Sequence, residues 1–380
     1  MGVRVVVAMS GGVDSSVAAV LLKQQGYEVI GLMLRLWSEA GNQSSQSCDL
    51  NRCCSPEAMD QARRVAELLD LPFYVIDAQA PFKTHVVDHF VASYAAGLTP
   101  NPCLECNRHV RWDFLLNKAL SLGAQYLATG HYARIARAGA LVGAEAIDQA
   151  SPDADAVPEY QLLKGMDEKK DQSYVLSVMK QSHLAHALFP VGTYTKVQVR
   201  ALAREFKLPV AERPESQDLC FLADDDYRRF IREQVPEAVR PGPIVQTDGQ
   251  VIGTHAGLPF YTIGQRKGLG VPGPEARYVI ALLPDSNTLV VGPATQLGRD
   301  RLRAYPVNWI NGAPPAAPLR TQVKIRYKAA PAWATVTADA GGSAHVVFDT
   351  RLRDITPGQA AVFYAGEVCL GGGIIQRENL

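Results

Sequence analysis

Apolar residues follow two rhythms along this chain, and the changeover falls past its middle. Val5 to Met9 is an uninterrupted apolar run, as expected of a parallel strand buried on both faces. Asp14 to Gln25 carries Val17, Val20 and Leu21 at helical spacing and stops at Gly26, a suitable C-terminal glycine. Val29 to Leu34 predicts a second strand, Pro56 to Leu69 a helix with proline at its start, and Phe73 to Asp77 a third strand. A helical stretch covers His89 to Ala96, a loop follows, and a further helix runs from Asn107 to Leu122 before a strand at Tyr126 to Thr129. Repeated strand–helix–strand units predict an α/β fold with a doubly wound parallel sheet. Its ligands are expected at the carboxyl ends of the strands.

From Lys170 to Val239 the pattern is helical, and Thr195 with Gln198 forms a capping box for a helix ending near Phe206. Beyond Pro241 short alternating strands take over. Asp248-Gly249 is a hairpin signal, and strands recur at Val323 to Tyr327, Trp333 to Thr337, His345 to Phe348 and Ala360 to Tyr364. The last hundred residues therefore predict a small antiparallel β-barrel. Two polar segments interrupt the first half: Ser38 to Ser55, which holds Cys48, Cys53 and Cys54, and Gly143 to Pro158, an insertion expected at a hairpin tip. The expected organisation is a catalytic domain at 1–210, a small linking domain at 211–275 and the barrel at 276–380.

The 380 residues include 38 basic and 38 acidic side chains, so the chain is no general polycation and any nucleic-acid contact must come from local basic patches. The short apolar start does not make a signal peptide, and no run of apolar residues is long enough for a membrane span. A cytoplasmic protein with no membrane partner is expected. Seven cysteines are too few for a disulfide scaffold in a chain of this length and point to free thiols, metal or sulfur chemistry.

Candidate chemistry begins at Ser10-Gly11-Gly12-Val13-Asp14-Ser15-Ser16, between the first strand and the first helix. Glycines let the backbone approach an anion, and exposed amides at the helix start supply donors and a favourable dipole. The string lacks both the G-x-x-x-x-G-K-[ST] and the G-x-G-x-x-G spacing, which disfavours a kinase-type phosphate grip and a dinucleotide. It resembles the pyrophosphate-binding loop of ATP pyrophosphatases. Cys103 and Cys106 form C-x-x-C just before a helix, where the dipole stabilises a thiolate. Cys220 lies far away in the polar stretch Glu215-Ser-Gln-Asp-Leu-Cys-Phe221. A structural zinc site is disfavoured, because there is no second C-x-x-C and Cys53 and Cys54 are adjacent.

Taken together, Ala8 to Ser16, Gly130-His131-Tyr132, Lys170-Asp171-Gln172-Ser173-Tyr174, the Cys220 segment, Gly253 to Gly268 and Gly366 to Gly373 resemble the tRNA-specific 2-thiouridylases, in that family's order and over nearly the whole chain. The resemblance implies an adenine-nucleotide hydrolase-like PP-loop domain. It implies ATP contacts at Ala8, Met9, Ser10, Gly11, Gly12, Val13, Asp14, Ser15, Leu34 and Gly130, with Mg²⁺ neutralising the phosphates. The target base would meet Asn101, Pro102 and Cys103, and the tRNA would meet Lys170, Asp171, Gln172, Arg326 and Tyr327. Cys106 aligns with the catalytic nucleophile and Cys220 with the persulfide carrier, fed by a sulfur-relay protein and a cysteine desulfurase.

The chain departs from that pattern at Cys103, where many members have Asp, and at Leu34, where methionine is common; the Gly143 to Pro158 insertion is also longer than expected. Two uses of the thiols stay open: a persulfide relay, or an iron–sulfur cluster on Cys103, Cys106 and Cys220. Lys324, Arg326 and Lys328 are expected to alternate on one strand face as a phosphate-binding patch. The competing readings are a small-molecule synthetase with the same loop, amidating or of the argininosuccinate type, and a non-catalytic RNA-binding module built on the barrel.

Overall fold

The computed structural model describes residues 2–39, 56–137, 160–214, 219–222, 224, 226–271 and 275–377. The expected loop at 38–55, apart from its first two residues, and the whole of the expected insertion at 143–158 lie outside these, as do Cys48, Cys53 and Cys54.

The first sheet contains β1 (Arg4–Ala8), β2 (Glu28–Arg35), β3 (Phe73–Asp77), β4 (Tyr126–Ala128) and a two-residue strand β7 (Ala187–Leu188), in the order β3-β2-β1-β4-β7. All its pairings are parallel. Val5 and Val7 face one apolar cluster and Val6 the other, which explains the unbroken apolar run of β1. The chain passes from β1 to β2 on one side, while β4 lies on the other. Strand order thus reverses between β1 and β4, and a crevice opens at their carboxyl ends.

Helix α1 (Val13–Gln24) follows β1 directly, and helix α2 (Pro56–Leu68) precedes β3. The helix expected at 89–96 begins ten residues earlier, at Gln79, and includes a π-helical segment at Lys83–Asp88. The helix expected from Asn107 begins at Pro102 and is π-helical from Cys106 to Leu115. Such widened turns are rare and mostly occur at functional sites. The helical reading of 170–239 resolves into short helices at Ser173–Leu176, Gln181–Leu184, Lys196–Glu205 and Tyr227–Gln234, with β7 among them. Two residues are too few for a periodicity to reveal β7.

The second sheet, in the order β10-β11-β8-β9, is built from β8 (Gly242–Gln246), β9 (Val251–His255), β10 (Tyr278–Leu283) and β11 (Thr288–Gly292). The expected boundary between 275 and 276 falls inside this sheet, because β11 pairs with β8. Strands β12 (Arg299–Trp309), β13 (Leu319–Lys324), β14 (Ala332–Ala338), β15 (Ala344–Leu352), β16 (Ala360–Ala365) and β17 (Val368–Ile375) close into an antiparallel barrel through a β12–β17 pairing. A hairpin of β5 (Ala133–Arg137) and β6 (Tyr160–Lys164) extends from β17, so a piece of the first domain is hydrogen-bonded to the barrel. Strand β13 ends at Lys324, and Arg326 and Lys328 lie in the bend beyond it. The expected alternation of Lys324, Arg326 and Lys328 on one strand face is thereby corrected: the strand sits a few residues earlier than its apolar pattern suggested.

Candidate active site

The loop after β1 is shaped by contacts that only glycine permits. Gly11 has φ +70°, and a Cβ on it would stand 2.1 Å from the Ala58 carbonyl oxygen. Gly12 caps α1 in an extended conformation without a side chain to compete for the helix-start amides. Ser15 Oγ accepts from the Ser10 amide at 3.2 Å, and Ser16 Oγ donates to the Gly12 carbonyl at 2.8 Å. Met9, Val13 and Ser15 are buried, so what this loop presents to a ligand is largely backbone. Leu34, at the end of β2, packs partly buried between two apolar clusters.

Asp14 sits in the first turn of α1. Its Oδ1 accepts from Tyr132 Oη at 2.8 Å, and Lys196 Nζ reaches Oδ1 and Oδ2 at 2.6 and 2.8 Å. Lys196 opens the helix 196–205, held by the Thr195 cap and by its own amide donating to Asp167 Oδ2 at 2.9 Å. A second cation, Arg213, donates from Nη1 to the Gly11 carbonyl at 2.7 Å. Gly130 follows β4 and lies against α1: a Cβ there would be 2.7 Å from the Ser15 amide nitrogen. Beside it His131 is buried and hydrogen-bonded to Thr129 Oγ1 at 2.7 Å. Burial, aided by the charge of Arg111, holds its imidazole well below the ordinary pKa and therefore neutral.

The thiols belong to other elements of the chain. Asn101 caps the helix 102–121, its Oδ1 accepting from the Cys103 amide at 3.1 Å; such a cap stabilises by about 1 kcal/mol. Cys103 is exposed, whereas Cys106 and Cys220 are half-buried. Both pack on a single apolar cluster that includes Ala78, Phe82, Phe90 and Phe230. Phe221 anchors the Cys220 segment there, with ring centroids 5.3 Å from Phe90 and 6.0 Å from Phe230. The structure thus packs against one apolar cluster two cysteines more than a hundred residues apart. Among the described residues no set of three or more His, Cys, Asp or Glu side chains is arranged to hold a metal ion. Cys103, Cys106 and Cys220 are accordingly not gathered as ligands of an iron–sulfur cluster. Next to Cys106 is a group the sequence reading missed. Buried Glu105 faces Arg108 at 3.5 Å and His109 at 3.4 Å, and His109 stacks on His85 with centroids 4.4 Å apart.

The expected tRNA contacts are braces as much as surfaces. Asp171 is buried and accepts from the amides of Gly165 and Ser173 at 3.1 and 3.0 Å and from Ser173 Oγ at 2.9 Å. Gln172 brackets Tyr132, accepting from its amide through Oε1 and donating to its carbonyl, both at 2.9 Å. Lys170 closes a turn on the Asp167 carbonyl at 3.0 Å. Arg326 Nη2 donates to the Ile263 carbonyl at 3.1 Å and to Thr356 Oγ1. Tyr327 stands edge-on to Tyr174 at 6.1 Å, with Lys324 Nζ over both rings.

A loop of backbone amides at the switch point of a doubly wound parallel sheet, followed along the chain by two β-rich domains, defines a class of three-domain nucleotide-binding proteins. Residues 3–224 match a family model described as tRNA methyl transferase HUP domain, 228–293 one described as tRNA methyl transferase PRC-barrel domain, and 299–375 one described as aminomethyltransferase beta-barrel domain. The full-length relatives are more particular. A tRNA-specific 2-thiouridylase MnmA of Chloroflexus aggregans is 47% identical over 377 residues, covering 99% of both chains. Those of Heliobacterium modesticaldum and Roseiflexus castenholzii are 47% and 46% identical, covering 98% and 99% of this chain and 92% and 100% of theirs. This chain belongs to the tRNA-specific 2-thiouridylase family.

Proposed function

We propose that this chain replaces the C2 oxygen of the wobble uridine of tRNA with sulfur, using ATP and a cysteine persulfide. The observation that carries the reading is the packing of Cys106 and Cys220 on one apolar cluster, in a chain whose α1 loop is built to receive phosphates. A small-molecule synthetase with the same loop gives that pair of thiols nothing to do.

The C2 carbonyl of uridine is a poor electrophile because its oxygen leaves badly. Attack of that oxygen on the α-phosphorus of ATP breaks the α–β bond, releases pyrophosphate and turns the oxygen into part of an AMP leaving group. In this reading the amides from Ser10 to Ser15 hold the departing pyrophosphate, with Lys196 and Arg213 adding positive charge. Ala8, Met9 and Val13 contribute backbone and shape, while Leu34 and Gly130 border the adenosine. Asp14 is the anionic side chain of this loop, paired here with the Lys196 ammonium, and would be the residue to hold a Mg²⁺. That ion would supply charge neutralisation.

The terminal sulfur of a Cys220 persulfide then attacks C2, and AMP leaves with the oxygen. The Cys106 thiolate attacks the inner sulfur of the resulting adduct, freeing the thiocarbonyl and forming a Cys106–Cys220 disulfide. The two electrons that reduce the transferred sulfur come from these thiols, and an external thiol must later reduce the disulfide. In the variant route Cys106 first cleaves the persulfide, and hydrosulfide attacks C2; the electron count is the same. Asn101, Pro102 and Cys103 border the base, which is already unstacked in an anticodon loop. Lys170, Arg326 and Tyr327 offer phosphate and stacking contacts, and Asp171 and Gln172 act by positioning. The sulfur arrives from a persulfide-carrying relay protein.

The test is mass spectrometry of nucleosides after incubation with bulk tRNA, ATP and a persulfide donor, with each omitted in turn. The expected product is 2-thiouridine that requires all three. Pyrophosphate release independent of tRNA, without 2-thiouridine, would instead favour a small-molecule synthetase.

A further inference from the structure

The loop that leads through Thr99 and Asn101 into the helix at Pro102 is irregular, and the prolines at 100 and 102 have no N–H to donate. Its polar backbone groups need partners from elsewhere, and the other two domains supply them. Gln359 Nε2 donates to the Thr99 carbonyl at 2.8 Å and to the Pro100 carbonyl at 3.3 Å. The Thr99 amide donates to the Pro357 carbonyl at 2.9 Å. Thr99 Oγ1 shares a hydrogen bond with Thr262 Oγ1 of the middle domain at 3.2 Å. Gly358, at φ +93°, lies so close that a Cβ would stand 2.8 Å from the Thr99 nitrogen.

Gln359 does not move freely. Its carbonyl accepts from the Ile375 amide at 2.8 Å, and the Gly358 amide donates to the Ile375 carbonyl at 2.9 Å, so both are tied to β17. A cavity of about 290 Å³ lies alongside this seam, lined by Gly97, Ile263, Pro357 and Arg377 among others. Hydrogen bonds therefore set where Thr99 sits, and with it Asn101 and the Cys103 amide that Asn101 caps.

We propose that Gln359 is a positioning residue, through which the C-terminal barrel sets the location of the base-receiving loop relative to the nucleotide loop. The inference rests on the proposed thiolation for its functional part and on the hydrogen bonds for its structural part. Reacting groups must meet at roughly 3–3.5 Å, and a displacement of about 1 Å costs about 100-fold in rate. The loss is expected at the chemical step, because the Gln359 amide is engaged with the Thr99 and Pro100 carbonyls and acts through that loop.

Three variants separate the donor from the bulk. Gln359→Leu removes the donor, Gln359→Glu replaces it with an acceptor facing two carbonyls, and Gln359→Lys keeps a donor on a chain of similar length. Single-turnover 2-thiouridine formation is expected to fall about 10- to 100-fold in the first two and to recover in the third. Affinity for tRNA and for ATP should stay within about twofold in all three, a rate-against-affinity split that general destabilisation would not give. Backbone amide exchange across residues 97–103 should speed up in Gln359→Leu and return to the wild-type rate in Gln359→Lys. Unchanged exchange in Gln359→Leu overturns the clamp, whatever the enzyme does. Faster exchange with an unchanged thiolation rate overturns the positioning role. A wild-type protein that forms no 2-thiouridine counts against the functional reading, and the exchange measurement then decides the clamp alone.

Discussion

Gly130 is where the sheet and the nucleotide loop come closest, and Gly130→Ala tests that approach with one methyl group. Its φ is not positive, so alanine can adopt the backbone and the cost is purely steric. The new Cβ would stand 2.7 Å from the Ser15 amide nitrogen, 2.8 Å from the Asp14 carbonyl carbon and 3.0 Å from Asp14 Cβ. Two of those contacts are backbone at the start of α1, which cannot rotate away like a side-chain tip. The helix start must retreat by about 0.7 Å to reach ordinary contact, carrying the amides of Asp14 and Ser15 with it; overpacking of this kind costs about 1–3 kcal/mol of stability. A shift of that size at groups that hold pyrophosphate should slow tRNA-dependent AMP formation about 10- to 100-fold. The assay is AMP release from labelled ATP with saturating tRNA, beside a thermal melt. AMP formation within twofold of wild type, with an unchanged melting temperature, would refute the claim that Gly130 is required for close approach.

Lys196→Met leaves Asp14 with Tyr132 as its remaining partner shown here, and should weaken ATP binding about tenfold or more, measured by calorimetry; Lys196→Arg should recover part of it. His131 is held neutral in the folded state, so above pH 6.5 it contributes no pH dependence; below that the unfolded chain takes up a proton that the folded chain refuses. Urea-unfolding free energy should therefore fall on acidification, by up to about 1.4 kcal/mol per pH unit from this residue, with a shallower slope in His131→Gln. Burial pushes the Cys369 thiol up to about 12, whereas Cys103 is exposed. At pH 8 iodoacetamide should label Cys103 and spare Cys369 in the native protein, as read by peptide mass mapping; equal labelling would show that the barrel strand is not closed over Cys369.

The sequence by itself determined whatever is local and periodic. The apolar run of β1, the glycine–serine string and the capping box at Thr195 each state their structure within a dozen residues, whereas the C-x-x-C expected before a helix lies within its first turns. Backbone conformation and burial rhythm are short-range properties. The alternating strands likewise predict the barrel, although β13 ends at Lys324 while the alternation of apolar and charged residues continues through Ile325 and Tyr327 into the bend. Which distant groups meet is settled by the closed fold alone. Lys196 reaches Asp14 across 182 residues, and Gln359 holds Thr99 across 260. Phe221 buries itself among Phe82, Phe90 and Phe230 and so brings Cys220 onto the cluster that holds Cys106. No spacing rule announces these pairs, because a lysine at a helix start or a glutamine before a strand reads as solvated surface until the chain closes around it. Asp171 shows the reverse. Its charge and polar neighbours suggest a surface contact, yet folding turns its carboxylate inward onto Gly165 and Ser173, since a carboxylate can be buried when donors meet it there.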